Sequence, residues 1–213
     1  MTTHRLASPN GEFSVVLPGT WAAIPLGDHE SMRARVSSVV KKQMPNNDRL
    51  ARARKIVKDD LLRAAEEAAR LGATIFALAL EMLPGVPFPA SILAFSQDWP
   101  PGVEPSADGR QGRLRRSFPG GEIVAADFST VLRRSELEER HEGKVEFPML
   151  NLEYWFASPN GRVLSFLISV PMCQSVELFT AFFDAVADSV RWATPYEISR
   201  AEEQTSDSPS PVV

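Results

Sequence analysis

Residues 150–170 have the sequence LNLEYWFASPNGRVLSFLISV, two apolar runs separated by a turn. Apolar residues alternate with more polar ones in both runs: Leu150, Leu152, Tyr154 and Phe156, then Leu164, Phe166, Ile168 and Val170. Such alternation is typical of a strand with one buried face. The turn at Ser158–Gly161 contains Asn-Gly, and both of these residues accept a positive φ. This stretch therefore predicts an antiparallel β-hairpin.

The segments on either side of this hairpin predict one strand, one helix and a disordered tail. Upstream, alternation over Val124–Leu132 indicates another strand. Downstream, apolar side chains recur at helical spacing and predict an amphipathic helix: Phe179, Phe182, Phe183, Val186 and Val190. Residues 194–213 are rich in Ser, Pro and Glu, a composition that predicts a disordered tail.

Two helices are predicted in the first half of the chain. The first follows the apolar spacing of Met32, Val36, Val39 and Val40. The second runs from about Asp48 to Leu71, with an N-capping residue before it and Gly72 after it.

Three apolar runs around these helices predict strands. Phe13–Leu17 ends at a Pro-Gly turn, and Ala90–Phe95 is short and apolar. Ala73–Leu83 is apolar on both faces, a pattern that fits a central strand or a buried helix. Gly72 before it and Pro84-Gly85 after it favour the strand. Residues 100–121 are rich in Pro, Gly, Ser and Arg and predict a loop, with a short strand near Leu114–Phe118.

These elements together predict an α+β fold. We expect an antiparallel sheet of about six strands packed between helices. Residues 1–193 are expected to form a single domain, followed by the tail of residues 194–213.

Composition indicates a soluble cytoplasmic protein. The chain has 213 residues, 44% of them hydrophobic and 23% charged, which is ordinary for a globular protein. Its single cysteine, Cys173, allows no intramolecular disulfide. Residues 1–10 lack the features of a secretory signal, and the longest apolar run, Ala73–Leu80, is too short to span a membrane.

Three features resemble the PsbP-like superfamily, which includes the photosystem subunit, a Ran-release factor and the bacterial DcrB-like proteins. They are the turn within Phe13–Trp21, the late hairpin ending in Val170-Pro171, and the run FFDAVADSV at residues 182–190. The resemblance implies an antiparallel sheet between helices and a role in binding proteins. The helical pair over Met32–Leu71 is longer than the family usually carries, and no functional residue can be carried over.

The residues that carry chemistry do not form a recognisable motif. The three histidines, His4, His29 and His141, are not at metal-ligand spacing to one another or to Cys173. We interpret His141 as part of a charged turn over Glu138–Lys144, and Cys173 as a semi-buried structural residue. No phosphate-binding glycine loop is recognisable. We therefore expect no catalytic residue, no metal site and no cofactor.

The charge distribution is uneven. Residues 33–58 hold nine basic residues and one acid, although the whole chain has a net charge of −4. Six of these bases are the candidate partner-binding residues: Arg33, Arg35, Lys41, Lys42, Arg52 and Lys55. A second basic cluster in the mid-chain loop is a candidate extension of this surface: Arg110, Arg113, Arg115 and Arg116. The basic segment lacks aromatics that could stack on bases, which argues against nucleic acid. A solvated helix face is the simple alternative to a binding surface.

The leading functional hypothesis is a non-enzymatic cytoplasmic module that binds a protein with an acidic surface. Its most specific form, a chaperone or accessory protein of a specialised bacterial secretion system, rests on analogy with DcrB-like proteins. The alternative is a domain that binds a small ligand between the sheet and the long helices, near Trp99 and Trp155. A hydrolase using Cys173 and His141 is the third hypothesis.

Overall fold

The structure is a computed structural model. Its described residues are 3–44, 47–83, 85–105, 107–124, 126, 129–143 and 145–193, without the side chains of residues 83 and 142. The helices are His29–Gln43 (α1), Ala51–Arg70 (α2), Gly109–Ser117 (α3) and Val176–Asp188 (α4). The strands are Thr3–Ala7 (β1), Phe13–Pro18 (β2), Thr20–Ile24 (β3), Ile75–Leu83 (β4), Val86–Pro87 (β5), Ser91–Gln97 (β6), Glu122–Val124 (β7), Val131–Glu142 (β8), Val145–Ala157 (β9), Val163–Pro171 (β10) and Arg191–Trp192 (β11).

The strands form two antiparallel sheets, which confirms the predicted α+β class. The larger sheet has the order β3-β4-β6-β10-β9-β8-β7, with β5 paired to β4. The smaller sheet has the order β1-β2-β11. The described residues thus give the larger sheet eight strands, where the sequence predicts about six. Strands β5 and β7 are only two and three residues long, too short for alternation to reveal them.

The hairpin at residues 150–170 lies at the centre of the larger sheet. β9 and β10 pair in continuous register from Val163–Ala157 to Pro171–Met149. Gly161 has φ of 83°, as the predicted turn requires. Burial explains the register, because the apolar residues of both strands that the sequence pattern singles out are at most 2% exposed.

Each face of the larger sheet packs against different elements. On the first face, the core side chains of β9 and β10 pack with β2 and α4. On the second face, α1 and α2 cover β3 and β4, while α3 covers part of β8 and β9. The centre of the second face, on β6 and β10, lies between these two groups of helices.

Three local predictions are wrong. The single strand predicted over Val124–Leu132 is instead the end of β7 and the beginning of β8, and Ser129 and Thr130 between them are not in a strand. α3 stands in place of the predicted strand near Leu114–Phe118. In α3 only Leu114 is buried, against Leu132 and Trp155, so its apolar pattern is too sparse to predict a helix. The interpreted charged turn is instead the distal part of a long hairpin, in which β8 and β9 pair as far as Glu142–Val145. Exposed strands with charges on both faces give no alternation signal.

Two predictions about the extent of the domain stay predictions. The predicted tail of residues 194–213 lies outside the described residues. The division into one domain up to residue 193 remains a prediction. Among the described residues, none of the helices has the length and apolarity that crossing a membrane requires.

Candidate partner-binding site

The basic segment forms an antiparallel helix pair, α1 and α2. Asp28 caps α1 by accepting a hydrogen bond from the backbone N–H of Ser31 at 2.7 Å. Hydrogen bonding by the side chain of Ser31, and then by its backbone, lowers the pKa of Asp28. His29 at the start of α1 lies 2.9 Å from Glu66 near the end of α2. The end of α1 therefore meets the beginning of α2, and this arrangement brings the basic residues of both helices together.

The two helices are buried to different extents. α1 buries the four apolar residues that the sequence predicts: Met32, Val36, Val39 and Val40. α2 buries only Ala65 and Ala68, both in its second half. In its first half, Ile56 and Val57 are 52% and 43% exposed. The beginning of α2 therefore presents aliphatic and basic side chains to solvent.

A basic depression of about 330 Å³ lies between the helices. Its lining residues are Ser37, Val40, Lys41, Met44, Arg54, Lys55 and Lys58. Two of these, Lys41 and Lys55, are among the six candidate residues. Arg54 and Lys58 belong to the same basic segment but not to that set, because composition cannot tell which bases converge in space.

The other four candidate residues lie outside the basic depression. Arg33, Lys42 and Arg52 are exposed but do not line it. Arg35 is half-buried, and its Nε donates a hydrogen bond to the carbonyl of Ala23 at 2.9 Å. Arg35 thus ties α1 to β3, so its role in the fold is structural.

An apolar cleft of about 340 Å³ adjoins the basic depression. It opens between the helix pair and the sheet, and Val40 and Met44 line both hollows. Its walls include Val39 of α1, Val57 and Leu61 of α2, Leu78 and Leu80 of β4, Pro89 and Pro171. These residues come from distant parts of the chain. A single sequence gives no signal of such a cleft beyond the individual apolar patterns.

The two tryptophans of the small-ligand hypothesis lie elsewhere on the second face. The ring of Trp155 stacks on Phe118, with centroids 4.6 Å apart, in a packed cluster under α3. The guanidinium of Arg113 lies 4.1 Å from the ring centroid of Trp99. Trp99 lines a separate depression of about 240 Å³.

The second arginine cluster lies on α3, away from the helix pair. α3 packs on β8 and β9, and β6 and β10 separate these strands from β4. Arg116 pairs with Asp108 at 3.2 Å, and Arg113 also donates from Nε to the carbonyl of Val103 at 3.0 Å. The cluster therefore does not continue the basic depression directly.

The remaining chemical candidates have structural surroundings. Cys173 is buried, where the sequence interpretation had it semi-buried, and its backbone N–H donates to the carbonyl of Pro148 at 3.2 Å. His141 lies 3.5 Å from Glu146 on the exposed hairpin. Within the described part of the chain, no three acidic, histidine or cysteine side chains are grouped as a metal site.

A partly buried polar cluster fixes α4 to the first face of the sheet. The hydroxyl of Tyr154 donates to Asp184 at 2.9 Å, and Arg133 forms an ion pair with the same carboxylate. Burial raises the pKa of Tyr154 well above its usual value, and the Asp184 carboxylate raises it further. Tyr154 therefore stays protonated while the protein is folded.

We expect the stability of the protein to fall above about pH 10 through Tyr154. In the unfolded chain a tyrosine ionises near pH 10, whereas in the folded state it does not, so folding binds a proton there. The contribution is complete below that pH and decreases by up to about 1.4 kcal/mol per pH unit above it. Urea unfolding at about pH 9 and about pH 11 measures this loss. The Tyr154→Phe variant should lack this component of the pH dependence, at a cost of about 1 kcal/mol at neutral pH for the lost hydrogen bond. An equal decline in both proteins would contradict the assignment.

Comparison with known proteins gives one kind of match. No family model matches the chain, and a search of curated proteins finds no match either. Among solved structures, the chain is similar to the solution structure of cyanobacterial PsbP (CyanoP) from Synechocystis sp. PCC 6803. The TM-score is 0.37 and the identity 12%, over 90% of this chain and 93% of that chain.

Proposed function

We propose that this protein is a non-enzymatic module that binds an acidic segment of another protein on its α1–α2 pair. The observation that carries the proposal is the junction of the apolar cleft with the basic depression at Val40 and Met44. A continuous surface of this kind fits a segment with an apolar side chain next to acidic ones. A cytoplasmic location, and an accessory role in a specialised bacterial secretion system, are the more specific parts of this proposal.

The two hollows supply different components of binding. Burying one large aliphatic or aromatic side chain in the cleft contributes roughly 1.5–3 kcal/mol. Lys41, Lys55 and Lys58 surround the adjoining depression and attract carboxylates. Charges at the rim of an interface mainly raise the association rate and fix orientation, and salt weakens them. We therefore expect the affinity to depend on the apolar residue and its salt dependence on the lysines.

Charge reversal in the basic depression is expected to weaken partner binding roughly tenfold or more. The variant is Lys41→Glu/Lys55→Glu, because both side chains are exposed and line the depression. Proteins captured from an extract of the native host are identified, and the purified partner is then titrated by calorimetry. A matched control is Arg110→Glu/Arg115→Glu, which changes the net charge equally at exposed positions of α3.

Two results would overturn this proposal. One is the recovery of no protein by the wild-type chain above background. The other is an equal loss of affinity in the α3 control, which would show that only net charge matters.

A second candidate function is the binding of a small apolar ligand in the same cleft. Its volume of about 340 Å³ falls within the range of ligand pockets, roughly 300–1,000 Å³. Native mass spectrometry of protein purified from the host distinguishes the two functions. A bound small molecule, lost from a Leu61→Trp variant that fills the cleft, would favour the ligand over the protein partner.

A further inference from the structure

The distal part of the β8–β9 hairpin extends beyond the rest of the larger sheet. β10 pairs with β9 only as far as Met149, opposite Pro171, and β7 pairs with β8 only at residues 131–133. The hairpin continues from there to the Glu142–Val145 pair. We call residues 136–143 and 145–148 the acidic arm. It comprises this extension and, at its base, the part of β8 that pairs with residues 149–151 of β9.

The acidic arm carries mainly negative charge, whereas the basic segment of the helix pair carries mainly positive charge. The described charged side chains of its two strands are Glu136, Glu138, Glu139, Glu146, Arg140 and His141. Val145 near its tip is 61% exposed. The arm therefore offers an aliphatic side chain that the apolar cleft can hold and carboxylates that the basic depression attracts.

Both regions belong to the second face of the sheet. Glu136 and Glu138 lie on this face, because they share a hollow with Leu167 and Ser169. The other charged residues of this hollow are Glu153, Arg134 and Arg140, so three carboxylates there face two guanidinium groups. Ser169 pairs with Ser91, and Ser91 lines the apolar cleft. One face thus carries basic helices on one side and the acidic arm on the other. Leu167, 40% exposed, lies on β10 between them.

The acidic arm does not reach its own cleft. The β8–β9 ladder is in continuous register from Val131–Phe156 to Glu142–Val145, so the arm continues the plane of the sheet. Two polar contacts lie within the arm: the ion pair of Glu138 with Arg140, and the contact of His141 with Glu146 at 3.5 Å.

We propose that a second copy of this chain docks on the second face, with the acidic arm of each copy in the cleft of the other. A two-fold axis near Leu167 brings the acidic side of each face onto the basic side of the other. Such an interface is self-complementary, so it closes as a dimer. The proposal rests on the proposed function, because both use the same cleft, and it makes dimerisation compete with partner binding.

Charge exchange between the two regions tests the dimer by sedimentation velocity at low salt. The wild-type chain is expected to double its mass with increasing concentration and to dissociate as salt is added. Arm variant Glu136→Lys/Glu138→Lys and helix variant Lys41→Glu/Lys55→Glu should each be monomeric where the wild-type chain is a dimer. An equimolar mixture of the two variants should dimerise again. In the mixed dimer, the lysines of the arm variant meet the new glutamates of the helix variant. The unchanged acidic arm of the helix variant meets the unchanged basic depression of the arm variant. Recovery on mixing also shows that both variants are folded.

The outcomes separate this inference from the proposed function. A wild-type monomer at every soluble concentration, or variants that still dimerise separately, would overturn the dimer. The arm variant keeps the basic depression, so it should still bind the partner, and more tightly than the wild-type chain does. Partner binding by the arm variant without any wild-type dimer would reject the inference and retain the proposed function. If the wild-type chain dimerises, the single variants do not, and their mixture does, the dimer is supported. If no partner is captured as well, the proposed function is rejected.

Discussion

Replacing Gly19 by alanine is expected to lower the free energy of unfolding by roughly 3 kcal/mol. Gly19 connects β2 to β3 with φ of 88°, where any side chain is strained. In addition, a Cβ at this position would lie 2.4 Å from the carbonyl oxygen of Glu81 and 3.1 Å from the Cα of Met82. These are backbone atoms of the adjacent strand β4, so β3 and β4 would have to separate.

Gly161→Ala is the matched control for Gly19→Ala. Gly161 has φ of 83°, but an added Cβ would meet nothing within 4 Å. The control carries the backbone strain without the clash, so it should cost only about 1 kcal/mol. Urea unfolding followed by tryptophan fluorescence measures both losses. Equal losses would mean that β4 yields to the new methyl group and that close strand approach is not what requires glycine.

At Gly19 the turn can be predicted from the sequence, but the need for glycine cannot. The Pro-Gly pair predicts a turn after the first apolar strand, and the structure has it. The Glu81 carbonyl that makes glycine necessary is far away in the sequence and enters only with the pairing of β3 and β4. A turn can be recognised from the residues of one segment, whereas close contact between two strands depends on how distant segments pair.

The candidate site was predictable to a similar extent. The concentration of bases in residues 33–58 indicates a positive surface, and helical spacing gives the buried stripe of α1. Which bases meet depends on the antiparallel packing of α1 and α2, since Lys41 joins Lys55 and Lys58 across the helix pair. Arg35 looks like its basic neighbours in the sequence, but its hydrogen bond to Ala23 gives it a structural role.

The cleft and the acidic arm were beyond prediction for different physical reasons. The cleft is made by apolar residues that single-element patterns assign to a packed core, such as Leu61 and Leu78. It remains open because the first half of α2 is not buried. In the arm, apolar residues alternate only at Val145 and Phe147, and charged residues occupy both faces of its β8 strand. This pattern is too short to predict the two strands. The strands of the arm form because they continue a hairpin whose centre, at Leu150 and Leu152, is fully buried.

Truncating Phe88 to alanine is expected to have the largest effect on stability, about 3–5 kcal/mol. Phe88 is 5% exposed and follows β5. Its ring centroid lies 5.4–6.4 Å from those of Trp21, Phe179, Phe182 and Phe183. The ring therefore connects the β3–β4 edge of the sheet to α4, and its loss would leave a cavity between them.

Phe88 also positions part of the cleft wall. Pro89 and Ala90, the next two residues, line the cleft, and the carbonyl of Ala90 accepts a hydrogen bond from the N–H of Ala79 at 2.9 Å. Urea unfolding should show Phe88→Leu to be intermediate, because leucine fills part of the cavity. Leu178→Ala, at a 66% exposed position of α4, should stay within about 0.5 kcal/mol of the wild-type chain. If Phe88→Ala were as mild as Leu178→Ala, the aromatic cluster would not be what holds α4 against the sheet, and the cleft wall would need another support.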